Sequence, residues 1–123
     1  NWEGVGAEDA IVGWDGKIER VDAAIAQNDS MAAGMKAGLV RRGGGHIPVV
    51  GLDGTPFGKA LVDAGKLVAT VIQPNGVSAA LRTYHQLLTG AQAVSDLPAD
   101  RDIPSQPTCY PPLDAIRAPR SGG

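Results

Sequence analysis

Three short apolar runs between residues 21 and 73 each end in polar side chains, and this repeat constrains the chain more than any other feature. Val21-Asp-Ala-Ala-Ile-Ala26 ends at Gln27-Asn28-Asp29. Ile47-Pro-Val-Val-Gly-Leu52 ends at Asp53-Gly54-Thr55, and Leu67-Val-Ala-Thr-Val-Ile72 ends at Gln73-Pro74-Asn75. Each run has the length and apolar content of a buried strand, and a segment of helical period follows each. Met31, Met35, Gly38 and Leu39 share a face of the first helix, expected from about residue 30 to Arg42, with Asp29 or Ser30 as its cap. Thr55-Pro56 opens the second helix, which Gly65 closes. Val77, Leu81, Tyr84 and Leu88 share a face of the third, expected over about residues 76–88.

The order is β-α-β-α-β-α. Short connections and continuous apolar strands predict an α/β fold, a parallel sheet in three layers with helices on both faces. Residues 1–20 read as a residual helix and turn from a truncated upstream part. Residues 21–93 form the α/β body, and residues 94–123, with their six prolines, read as an irregular, mobile tail.

Length and composition narrow the function. A chain of 123 residues fits one domain with a real core. Its formal net charge is -2, with both signs scattered and no basic stripe, so no nucleic-acid partner is expected. No apolar run approaches a membrane span. Cys109 is the single cysteine and forms no internal disulfide. The first residues, Asn1-Trp2-Glu3, are taken to continue from a longer protein.

Catalytic and cofactor chemistry finds little support. Gly4-Val-Gly6-Ala-Glu-Asp9 lacks the third glycine and the preceding strand of a dinucleotide fingerprint. Gly43-Gly-Gly45 follows a helix where a phosphate cradle precedes one. His46 and His85 have no companions at metal-ligand spacing. Ser30, Ser78 and Cys109 have neither a nearby base nor a nucleophile elbow. The chain therefore reads as a non-enzyme with no cofactor and no metal.

The polar strand ends remain. In open parallel sheets, ligands bind outside the carboxyl ends of the strands. Asn28 offers one acceptor and two donors there, enough to bracket neighbouring hydroxyls, or it shapes the turn into the helix. Asp53, as a carboxylate, accepts two hydroxyl protons at once, or it ties down the turn around Gly54. Gln73 reaches a ligand hydroxyl, or it satisfies backbone where the third strand ends. An amide, a carboxylate and an amide in a row suit a polyhydroxylated ligand.

The segments Ala26-Gln-Asn-Asp-Ser-Met-Ala-Ala-Gly34, Ile47-Pro-Val-Val-Gly-Leu-Asp-Gly-Thr-Pro56 and Ala64-Gly-Lys-Leu-Val-Ala-Thr-Val-Ile-Gln73 resemble the periplasmic sugar-binding proteins of ABC importers, the ribose type most of all. The resemblance covers about residues 18–93, with three motifs in family order. It implies part of the C-terminal lobe of a two-lobed, hinged protein that closes on a monosaccharide in the periplasm and hands it to a membrane permease. It also implies that Asn28, Asp53 and Gln73 hydrogen-bond the sugar, and that the chain crosses between lobes near Gln73. The family's first lobe has no counterpart in the chain, and Ser105 to Gly123 departs from its closing strand. A sheet truncated in this way leaves an edge for self-association. The ligand-sensing domain of a LacI-type regulator, which shares the lobe architecture, is the alternative. An enzyme of flavodoxin-like shape is a third reading, weakened by the missing chemistry.

Overall fold

Two side chains start the two central helices. The computed structural model describes residues 3–73, 77–91, 93, 95 and 107–116. Asn28 sits in extended conformation, and its Oδ1 accepts from the Met31 N–H at 2.7 Å. That bond satisfies one orphan donor of the helix Asp29–Arg41. Thr55 does the same for the helix Pro56–Asp63: its hydroxyl accepts from the Gly58 N–H at 3.0 Å, and Pro56 takes the first helical position.

The remaining elements follow in order. Helix α1 is Gly4–Gly13, and a 3-10 turn spans Ile18–Arg20. Strand β1 is Ala24–Ile25, α2 is Asp29–Arg41, β2 is Val49–Leu52, α3 is Pro56–Asp63 and β3 is Ala69–Ile72. Helix α4 is Val77–Leu88 and strand β4 is Thr108–Tyr110, with a 3-10 turn at Leu113–Ala115. The sheet order is β1-β2-β3-β4. The first three strands are parallel, with Ile25 opposite Val50 and Leu52 opposite Val71. β4 joins β3 antiparallel, with Ile72 opposite Thr108.

The sheet is therefore mostly parallel, within the α/β class expected. Moving one strand over at each right-handed crossover places α2 and α3 on the same face, where they touch each other. Ile18, Ala26, Ala32, Leu39, Ile47, Val49 and Leu67 form the core beneath them. On the other face Ile25 is 71% exposed, and Val50, Leu52 and Val71 are half-buried.

Three elements differ from expectation. β1 is shorter than the run 21–26 because the Val21 N–H is taken by the Ile18 carbonyl, at the end of the 3-10 turn. α1 is a full ten-residue helix where only a residual one was expected. Its partner supplies what its own propensity lacks: Arg42 donates to the carbonyls of Ile11 (3.1 Å), Trp14 (2.5 Å) and Gly16 (3.0 Å), and its guanidinium lies over the Trp14 ring. Gly34 of α2 lets the helices approach until a Cβ there would collide with the Gly4 carbonyl.

The third difference corrects the reading of residues 94–123 as an irregular tail. Thr108-Cys-Tyr110 is a strand, brought back to the open edge of β3 and fastened by the Tyr110 hydroxyl, which donates to Asp63 Oδ1 at 2.7 Å. Three residues between prolines carry no periodicity to read, so the pairing was invisible in sequence. Most of the remaining expectation for 94–123, and Gly76 at the start of the third helix, lie outside the described residues.

The chain forms two compact units, residues 1–72 with 108–123, and residues 73–107. They divide the chain elsewhere than the sequence pattern does. Helix α4 belongs to the second unit, and its apolar face, Val77, Leu81, Tyr84 and Leu88, is largely exposed.

Candidate ligand site at the strand ends

The first two candidate residues follow neighbouring parallel strands: Asn28 comes three residues after Ile25, the end of β1, and Asp53 directly after Leu52, the end of β2. Both lie just past the carboxyl ends of their strands. Asp53 is exposed, and its N–H donates to the Val71 carbonyl at 2.9 Å. Asn28 is half-buried, and its Oδ1 serves the α2 cap. Gln73 is exposed and directly follows Ile72, the last residue of β3. It opens the second unit.

Asp53 is the one described residue other than glycine with positive φ, at +99°. Side chains of L-residues crowd the backbone there, at a cost of about 1–3 kcal/mol. Gly54 follows at φ +65°. The surroundings must hold Asp53 in this conformation.

Asp29 does much of that work, and sequence reading missed its role. It was expected as a helix cap; Asn28 is the cap, and Asp29 stands at the first helical position with its side chain turned into the sheet. Only 2% of it is exposed. Its Oδ2 accepts from the Thr55 N–H at 2.8 Å and from the Thr55 hydroxyl at 2.6 Å. Its Oδ1 accepts from the buried Thr70 hydroxyl at 2.5 Å. That hydroxyl in turn accepts from the Gly54 N–H at 3.1 Å. Among the described residues no buried side-chain polar atom lacks a partner.

Two glycines leave room for this carboxylate. A Cβ on Gly51 would stand 2.5 Å from Asp29 Oδ1, and one on Gly58 would overlap the carboxyl group. The sequence signal was present in Asp29, Thr55, Gly58 and Thr70, but it is spread over three elements, and no local rule joins them.

The site holds acceptors and amides and little else. Among the described residues no cluster of His, Cys, Asp and Glu could hold a metal ion. A groove of about 650 Å³ runs between α2 and α3 past Lys36, Val40, Arg41, Phe57 and Leu61, and none of the three strand-end candidates lines it. Asn28 and Asp53, past the ends of neighbouring strands, offer hydrogen-bonding groups of the kind that orient a polar ligand.

No protein-family model matches the chain. Individual proteins do. The chain is 40% identical over 82 residues to the ribose import binding protein RbsB of Escherichia coli, covering 65% of this chain and 28% of that protein. The corresponding protein of Salmonella typhimurium is 39% identical over 82 residues, with the same coverage. The xylitol-binding protein of Mycolicibacterium smegmatis is 30% identical over 99 residues, covering 78% of this chain and 28% of that protein. The chain thus spans little more than a quarter of the length of these curated relatives. The resemblance to periplasmic sugar-binding proteins is borne out: over most of its length the chain is homologous to proteins named for ribose import and for xylitol binding.

Proposed function

We propose that the chain is the ligand-binding part of a solute-binding protein that takes up a monosaccharide and delivers it to the permease of an ABC importer, in the periplasm. The observation that carries this is Asp53: an exposed carboxylate at the end of the strand next to the one that Asn28 follows, kept in a costly backbone conformation. Asp53 accepts two sugar hydroxyls, each charge-assisted bond being worth roughly 1.5–3 kcal/mol net. Asn28 and Gln73 orient the ring, Gln73 entering through its place directly after β3 and through the resemblance. Binding is reversible, without covalent chemistry or cofactor, and the protein is not an enzyme.

The division of the chain supports the same reading. The second unit begins after Ile72 and ends before Thr108, and these two residues are a registered pair. Paired connecting strands suit a protein of two lobes joined by a hinge. We propose accordingly that the strands up to Ile72 carry the sugar lobe, and that the chain changes lobes after Gln73. Similarity to import proteins favours this role over a transcriptional effector domain.

Thermal unfolding with a panel of aldoses, ketoses and pentitols tests the proposal. A ligand at 100 times its dissociation constant should add about 2.7 kcal/mol of stability. One sugar should raise the midpoint for the parent, and Asp53→Ala should remove most of that rise. An Asp53→Ala variant that responds as the parent does would refute the assignment of Asp53. Conversion of a sugar by the pure protein would refute the non-enzymatic role.

A further inference from the structure

We propose that the cluster of buried Asp29 and Thr70 with half-buried Thr55 is a positioning device for the Asp53 carboxylate, setting its strained backbone before any ligand arrives. The inference rests on the sugar-binding reading for its purpose, though not for its geometry.

Three consecutive amides carry the argument. The Asp53 N–H donates to the Val71 carbonyl, the Gly54 N–H to the Thr70 hydroxyl, and the Thr55 N–H to Asp29 Oδ2. Every donor of the turn thus has its own acceptor, on β3 or at the start of α2. Two of the three acceptors are side chains, and both are buried. The Thr70 hydroxyl acts in both directions, donating to Asp29 and accepting from Gly54. Its orientation is therefore fixed by Asp29, and the position of Gly54 is fixed through it.

A turn so constrained has little freedom to relax into negative φ at Asp53. Relaxation would break the Gly54 and Thr55 bonds and leave buried acceptors unpaired, which costs more than the strain it relieves. The carboxylate then meets its ligand without an ordering cost, which is how preorganisation improves affinity. Asp29 touches no ligand in this scheme. It acts through the turn, as does Thr70.

Thr70 provides the cleaner test, because changing Asp29 itself removes three bonds at once and can unfold the chain. Thr70→Val removes the hydroxyl and keeps the shape, while Thr70→Ser restores the hydroxyl. The positive φ of Asp53 is read by NMR as a strong intraresidue cross-peak between its amide proton and Hα. The expected result is loss of that cross-peak in Thr70→Val and its return in Thr70→Ser, in proteins that both melt cooperatively. Sugar affinity should fall roughly tenfold in Thr70→Val, the loss of about one hydrogen bond's net worth, and recover in Thr70→Ser. In an Asp53→Ala background, Thr70→Val should change affinity no further.

A Thr70→Val protein that keeps the Asp53 cross-peak unshifted overturns the proposal. So does an equal loss of affinity with and without the Asp53 carboxylate, which would mean that Thr70 acts by another route. A parent chain that binds no sugar at all, yet loses the cross-peak in Thr70→Val, would remove the binding reading and leave the positioning device standing.

Discussion

Asp53 is expected to trade stability for a ligand group. Replacing it with glycine relieves backbone crowding of about 1–2 kcal/mol, against about 0.5–1 kcal/mol for the extra freedom of glycine in the unfolded chain. Asp53→Gly should therefore gain up to roughly 1.5 kcal/mol in urea unfolding while losing the sugar response. A destabilised Asp53→Gly would show that the carboxylate earns its conformation through contacts inside the fold. At this scale the sequence was legible in type and less so in role. Asn28, Asp29 and Ser30 are adjacent, and all three residue types cap helices. Propensity cannot rank them, so the cap was expected at Asp29 or Ser30, one or two residues too late. Burial decides: Asp29 is drawn in by two threonines that lie 26 and 41 positions away in the chain. Partners so distant leave no local mark.

At the scale of elements, α2, α3 and the strands before them were readable because each carries its own punctuation. Asn28 and Thr55 start the helices, and Gly43 and Gly65, both with positive φ, follow their ends. Strand β4 carries no such marks and depends on β3 and α3 for its place. Its fastening is open to titration. The Asp63 carboxylate accepts the Tyr110 hydroxyl and repels a phenolate beside it, so the Tyr110 pKa is raised above the usual 10.0. A raised folded-state value means that the bond's contribution is fully present below pH 10 and is lost as pH rises through the folded-state value. Stability of the parent should thus fall more steeply above pH 10 than that of Tyr110→Phe, as followed by chemical unfolding across that range. Parallel pH profiles for the two proteins would mean that the Asp63 bond does not hold β4 in solution.

At the scale of the molecule, the open edge of β1 is the exposed feature with the clearest consequence. Ala24 and Ala26 give their N–H groups to the carbonyls of Pro48, just before β2, and Val50. The Ile25 N–H points to the outer edge, where no strand is paired among the described residues. Residues 23–27 carry no charge and no proline, the usual guards of an edge strand. Beside them an apolar hollow of about 400 Å³ is lined by Ile11, Trp14, Val21 and Met35. Self-association of the chain is expected to run through this edge. Ile25→Lys should leave the melt nearly unchanged and shift the sedimenting species toward monomer. Equal association of parent and variant would place the contact elsewhere. None of this was visible as geometry in the sequence, although the existence of edges was: three strands in a row imply edges without saying which is bare.

The pairing of Ile72 with Thr108 has a practical corollary for protein engineering. To the sheet, the whole stretch 73–107 is topologically a hairpin turn, since it leaves one strand and re-enters on its antiparallel neighbour in register. Excising it and joining Ile72 to Thr108 through Asn-Gly, the residues that favour the twist of a two-residue turn, should yield a miniature that keeps β1 to β4 and the Asp29 cluster. Circular dichroism and a cooperative melt would identify such a miniature. Its survival would mean that the sheet and the excursion are separable modules that evolution or design can exchange one at a time.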